Sequence, residues 1–313
     1  MSLDLPIRPR NVAVVGGGLM GHGIALVMAL AGHRVKVQEP SSEARTNLGD
    51  RFESSAKSIG LSANEIAEAY SQVSIHEAVE EIAFDADVLF EAAPEKLDLK
   101  RELFSRLECL VPRHCILASN TSVIQITKIV DGIDTAHRCV GTHWWIPPHQ
   151  IPLVEIIKTK WSAPQTADEM FALLRHARKT PVLVEKDVPG FIGNRLQHAL
   201  WREAMSLVER GICDAAAVDT VVKSSFGRRL AVLGPLENAD LVGTDLSLDI
   251  HENLLFDLET SAAPMSVLKQ HVAEGRLGMK SGEGFYRWDE NQSDELRKRV
   301  ATHLKKLDGI LPD

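Results

Sequence analysis

The stretch NVAVVGGGLMGHGIALVMALAGHRVKVQEP, residues 11–40, constrains the fold of this chain more than any other. A short β-branched run from Asn11 to Val15 leads straight into Gly16, Gly18 and Gly21, spaced G-x-G-x-x-G. Ile24, Ala25, Val27, Met28 and Leu30 continue as an apolar helix that ends at Gly32, and residues 33–38 read as a second strand. Together they make a βαβ unit of about 30 residues. Gly16 permits the tight turn out of the strand, Gly18 lets the backbone approach a pyrophosphate, and Gly21 lets the helix pack closely on the sheet. The helix N-terminus then offers unpaired N–H groups to phosphate oxygens. Glu39 follows at the end of the second strand. A carboxylate there accepts from the hydroxyls of an adenosine ribose and repels a 2′-phosphate, which favours NAD over NADP.

Beyond this unit, residues 41–82 read as helical, with Ile59, Leu61, Ile66 and Ala69 among the apolar positions. Strands are predicted at 87–91, 115–118, 138–145, 153–157 and 181–185, with helices over 96–110 and 162–179. Strands alternating with helices imply an α/β fold with a Rossmann-type, doubly wound and mostly parallel sheet. The pattern changes at KDVPGFIGNR, residues 186–195, after which the apolar spacing becomes helical. The chain therefore divides into a dinucleotide-binding domain over 1–187 and an all-helical C-terminal domain over 188–313. A charged amphipathic helix is expected over 293–307.

The bulk properties exclude several function classes. A formal charge of −8 argues against general nucleic-acid binding, and no apolar run approaches the length of a membrane span. The N-terminus lacks the apolar core of a secretory signal. Cys109, Cys115, Cys139 and Cys213 are scattered, without CxxC or zinc-like spacing, so no metal site is expected and the chain reads as cytoplasmic.

One further stretch asks for an explanation: GTHWWIPPHQIPLVEII, residues 141–157. Alone, His143 and Glu155 read as packing or surface residues. In a doubly wound sheet, however, ligands sit at the carboxyl ends of the strands. SNTS (119–122), APE (93–95) and His143 all lie near such ends.

Taken in order, GGGLMGHGIA, FEAAPEKLDLKRELF, ASNTSVIQIT, GTHWWIPPHQIPLVEII, VPGFIGNRL, GPLENADLVGTD and GMKSGEGFY resemble the 3-hydroxyacyl-CoA dehydrogenase family over nearly the whole chain. The resemblance implies NAD-linked oxidation of the 3-hydroxyl of an L-3-hydroxyacyl-CoA, fatty acid metabolism, and a homodimer built on the helical domain. It implies His143 as catalytic base, Glu155 as its orienting carboxylate, and Ser122 and Asn194 as the groups that hold the reacting oxygen. It also implies cofactor contacts at Gly16, Gly18, Leu19, Met20, Gly21, Glu39, Glu95, Lys100, Asn120 and Lys280. The chemistry is sensible: losing hydride from a carbinol carbon leaves a protonated ketone unless a base takes the hydroxyl proton, and histidine titrates in the useful range.

Two departures bear on the substrate. Ile146 stands where the family's H-x-x-N-P motif has asparagine, so the pocket near the reacting centre must differ. The region between Pro40 and Val73 holds three basic residues against five acidic ones, a poor match to the anionic ADP part of coenzyme A. An alternative substrate is therefore a small free 3-hydroxy acid, carnitine- or gulonate-like, or an aromatic alcohol stacked on Trp144 or Trp145. A more distant alternative is a non-catalytic NAD-binding structural protein.

Overall fold

The computed structural model describes residues 8–308 and 310, which fall into two compact units, one ending at Arg195 and the other beginning at Leu196. The first contains β1 (Asn11–Val15), α1 (Gly21–Leu30), β2 (Arg34–Gln38), α2 (Ser42–Thr46), α3 (Leu48–Ser58), α4 (Ala63–Ser71), β3 (Val73–His76) and α5 (Glu80–Ala83). It continues with β4 (Val88–Glu91), α6 (Leu97–Leu110), β5 (Ile116–Ser119), α7 (Ile126–Ile129), β6 (Cys139–Trp144), β7 (Leu153–Lys158), α8 (Pro164–His176) and β8 (Thr180–Val184). Helix α9 (Gly193–Glu209) starts at its end.

The eight strands form one sheet in the order β3-β2-β1-β4-β5-β6-β7-β8. Neighbours are parallel except β6 and β7, which run antiparallel. The sheet is the Rossmann-type, mostly parallel one expected. Helices cover both faces, and β1 shows why. Val12 and Val14 join the hydrophobic cluster on the α1 and α8 side, whereas Ala13 and Val15 join the one on the α6 side. A strand buried on both faces reads as a continuous apolar run rather than an alternating one.

The expectation that residues 41–82 are helical is corrected at Val73–His76, which is a strand, parallel to β2 at the sheet edge. VSIH is four residues long, only partly buried and bounded by no glycine or proline, so neither periodicity nor punctuation marks it.

The second unit is helical. After α9 it holds α10 (Ala215–Ser224), α11 (Pro235–Val242), α12 (Thr244–Leu254), α13 (Ser266–Ala273) and α14 (Glu290–Asp308). Asp214 caps α10 by accepting from Ala217 N–H at 2.8 Å, and Pro235 opens α11 where its missing N–H costs nothing. No helix among the described residues is long and apolar enough to cross a membrane.

Candidate active site

The order of the sheet reverses between β1 and β4, and at their carboxyl ends lies a cleft of about 850 Å³. Its walls include Gly16, Gly18, Leu19, Met20, Glu39 and Ala92. Each glycine of the turn has its own physical reason. Gly16 adopts φ +92°, and a Cβ there would sit 2.7 Å from Ala92 O. At Gly21 a Cβ would lie 1.7 Å from Gly16 O, so α1 can begin there only without a side chain. Gly18 meets nothing within 4 Å, leaving its backbone open on that side.

Glu39 closes the far end of this turn. Its Oε2 accepts from Gly17 N–H at 3.0 Å and its Oε1 from Ser41 N–H at 3.1 Å. His22 supports the turn from below, with Nδ1 2.7 Å from Gly18 O and Nε2 2.9 Å from Ser55 Oγ. An open glycine backbone, a helix N-terminus beside it and a carboxylate at the next strand end together fit the pyrophosphate and ribose of NAD.

A second group of residues collects at the ends of β4, β5 and β6. His143 and Glu155 are direct cross-strand partners in the antiparallel pair β6–β7, and His143 Nδ1 lies 2.7 Å from Glu155 Oε2. Both are almost fully buried. The other carboxylate oxygen, Oε1, accepts from Ile192 N–H at 2.9 Å and Gly193 N–H at 3.0 Å, the start of α9. Burial by itself would raise the pKa of Glu155. The hydrogen bonds from His143, Gly193 and Ile192 outweigh it and hold the carboxyl below its ordinary range. With Nδ1 engaged by a carboxylate, Nε2 is the nitrogen left to exchange a proton.

The ring of His143 is flanked by Trp145, at 5.1 Å between centroids, and by Phe191, at 5.6 Å. Trp145 packs so tightly on the start of α9 that a Cβ at Gly193 would lie 2.4 Å from its Cζ2. Phe191 is buried and holds φ +51°, a costly conformation for a bulky residue that clusters at functional sites. The two tryptophans thus part company. Trp144 is core, edge-on to Phe90 at 5.9 Å, and Trp145 stands beside the histidine. Ile146 is 60% exposed, and the Ile146–Pro147 peptide is cis.

Ser122 and Asn194 are brought together as well, since Asn194 Nδ2 donates to Ser122 O at 2.8 Å. Adjacent residues, Gly193 and Asn194, therefore tie the His143–Glu155 pair and the Ser122 loop to one helix start. Glu95 organises that loop: it accepts from the Thr121 hydroxyl, from Ser122 N–H at 3.0 Å and from Val123 N–H at 3.2 Å. Asn120 Oδ1 accepts from Trp144 N–H at 3.1 Å, joining the end of β5 to β6. Lys100 is not solvated at the surface; it is 1% exposed, with Nζ 2.7 Å from Glu91 Oε1. Lys280 lies in the second unit, exposed in the segment after α13.

In this region Glu91, Lys179 and the burial of Lys100 escaped the sequence reading. Glu91 ends a strand buried on both faces, and a charge in such a run is itself a signal. Lys100 shares the 100, 104, 107 spacing of the buried stripe of α6. Lys179, buried between α8 and β8, donates to Pro148 O at 2.6 Å and Ile151 O at 2.9 Å, pinning the loop between β6 and β7. No spacing rule joins residues 31 apart.

Sheet order, glycine turn and strand-end crevice are those of a dinucleotide-binding α/β domain. The family model for the 3-hydroxyacyl-CoA dehydrogenase NAD binding domain matches residues 11–188, and that for the family's C-terminal domain matches 190–288. The chain belongs to the 3-hydroxyacyl-CoA dehydrogenase family of NAD-dependent oxidoreductases. A 5-formyl-3-hydroxy-2-methylpyridine 4-carboxylate 5-dehydrogenase from Mesorhizobium japonicum is 33% identical, with 96% of this chain and 98% of the relative covered. A solved structure of a dehydrogenase of that description superposes with a TM-score of 0.90 at 32% identity, covering 97% of this chain and 98% of the other. The (S)-3-hydroxybutyryl-CoA dehydrogenase of Ralstonia eutropha gives 0.75 at 30% identity, covering 90% and 100%.

Proposed function

We propose that the chain oxidises a hydroxyl group with His143 as general base and Glu155 as its orienting carboxylate. The buried 2.7 Å bond between them, locked by strand register, is the observation that carries this reading. Gly16, Gly18, Leu19, Met20, Gly21 and Glu39 would hold NAD, which when bound would supply the hydride acceptor. Glu155 selects the tautomer whose Nε2 is unprotonated and stabilises the imidazolium once His143 has taken the hydroxyl proton. Ser122 and Asn194 hold the reacting oxygen, and Trp145 and Phe191 shield the imidazole from water. Glu95, Lys100 and Asn120 shape the cofactor-facing strand ends. The first domain, 1–187, carries this chemistry. The helical region, 188–313, serves dimerisation and closure of the substrate site; its exposed Leu236, Leu241 and Phe256 are apolar surface suited to a second copy.

On the family's common reaction the substrate is an L-3-hydroxyacyl-CoA, oxidised to the 3-oxoacyl-CoA, and the enzyme works in cytoplasmic fatty acid metabolism. A second reading, a small free 3-hydroxy acid or an aromatic alcohol, has specific support. The fold lies nearer a pyridine-carboxylate dehydrogenase than a hydroxybutyryl-CoA one, 0.90 against 0.75 in TM-score. An indole also stands beside the base, with an exposed Ile146 following it.

NADH formation over a matched panel tests both. One arm holds L-3-hydroxybutyryl-CoA and longer homologues, and the other holds carnitine, gulonate, 3-hydroxybutyrate and aromatic hydroxymethyl acids. Turnover confined to the CoA arm establishes the first reading, and turnover confined to the free-acid arm establishes the second. Cofactor binding with no turnover in either arm overturns the assignment in favour of a non-catalytic NAD-binding protein.

A further inference from the structure

At the carboxyl end of β4 a fully buried carboxylate and a fully buried ammonium meet, and the mechanism uses neither directly. Lys100 Nζ donates to Glu91 Oε1 at 2.7 Å and to Ala93 O at 3.2 Å, and it lies 3.4 Å from Glu95 Oε2. Glu91 Oε1 also accepts from Ala93 N–H at 2.7 Å, and its Oε2 accepts from Ser119 Oγ at 2.5 Å. Glu91 is thus bonded to its own strand end and to the last residue of β5. Glu95 is 38% exposed at its side chain and is the outer member of the group.

Burying both charges is costly unless every lone pair and proton finds a partner, and these groups are engaged on several sides. Such an arrangement has few alternative geometries. Its last member, Glu95, accepts from Ser122 N–H and Val123 N–H, so the height of the Ser122 loop above the sheet is set from within the core. On the opposite side, Asn194 grips the same loop through Ser122 O.

We infer that Glu91 and Lys100 are positioning residues: with Glu95 they form a charged strut that holds the Ser122 loop in place for catalysis. The inference rests on the proposed role of Ser122 in holding the reacting oxygen, but the strut itself can be tested without a substrate. Lys100 acts through Glu95 and the loop rather than by touching the reacting atoms.

The test uses the full chain carrying Glu91→Gln, Lys100→Met, or both; the double variant leaves no charge stranded in the core. Hydrogen exchange is followed by mass spectrometry in a peptide covering residues 119–125 and in control peptides over β1 and α1. The strut predicts exchange of the loop amides at least about tenfold faster in all three variants, with the controls unchanged. Unchanged loop exchange, or equal acceleration everywhere, would overturn it.

Turnover of the panel substrate gives the second readout. The strut predicts a kcat at least about tenfold lower in the double variant at saturating NAD, and most of that loss absent in a Ser122→Ala background. An equal loss in both backgrounds counts against the strut. If Ser122→Ala alone leaves kcat intact, the role given to Ser122 fails, while the exchange result still decides whether the strut exists.

Discussion

His143 in β6 and Glu155 in β7 face each other across an antiparallel pair, with Nδ1 and Oε2 2.7 Å apart and both side chains almost wholly buried. The pairing is enforced by strand register, because a slip of one residue would turn every side chain of β7 to the other face. The carboxylate is held independently by the backbone at the start of α9. The imidazole therefore has little freedom to turn.

Replacing His143 by Ala is expected to lower kcat by roughly 10²–10⁴, the usual worth of a positioned base. Glu155→Gln should also lower kcat, because the amide cannot stabilise the imidazolium and also leaves the N–H groups of Ile192 and Gly193 a weaker acceptor. Steady-state kinetics at saturating NAD checks both. Near-normal turnover of His143→Ala would remove the base assignment.

Gly18→Ala and Gly21→Ala should fail in different ways. A methyl at Gly18 meets no protein atom, so the melting temperature should hold within about 3 °C while NADH affinity falls, measured by fluorescence titration. A methyl at Gly21 would overlap Gly16 O, so that variant should lose stability itself. Unchanged NADH affinity in Gly18→Ala would argue that the pyrophosphate does not approach there.

Cofactor choice is expected to depend on Glu39. Its replacement by Ser removes the charge that repels a 2′-phosphate, and the ratio of kcat/KM for NAD to that for NADP should drop at least about tenfold. A ratio that stays put would place discrimination elsewhere.

Acid should begin to destabilise the fold at a pH above the ordinary carboxylate range. Burial drives the pKa of His33 down to about 4, assisted by His176 and Arg10, and burial with His22 and Lys179 does the same to His149. Between pH 6.5 and 4 the unfolded chain binds these protons and the folded one does not, so stability is present above 6.5 and declines as pH falls. For His33, which is fully buried, the effect is on the order of 2 kcal/mol. Urea midpoints at pH 7 and pH 5 should differ accordingly, and His33→Asn should flatten the slope. Glu155 works in a lower window: its depressed pKa adds stability above the ordinary carboxylate range, lost as pH drops through the folded value.

The glycine turn, the βαβ unit, the alternation of strands and helices, and the change to helical spacing near residue 188 are all local patterns. Backbone sterics and side-chain periodicity act over a few residues, so NVAVVGGGLMGHG needs no distant partner to declare a turn against a phosphate. Local periodicity is also why VSIH passed as helix, since a short edge strand owes its form to the neighbour it pairs with. What only the tertiary structure decided is which side chains meet. The register of β6 against β7 set His143 on Glu155, the start of α9 brought Gly193 to that carboxylate and Asn194 to Ser122, and burial joined Lys100 to Glu91. A lysine in a polar helix reads as solvated until the packing of α6 on the sheet shows its amine inside. Hydrogen bonds and charge pairs act through space at about 3 Å, a distance that spacing along the chain does not encode.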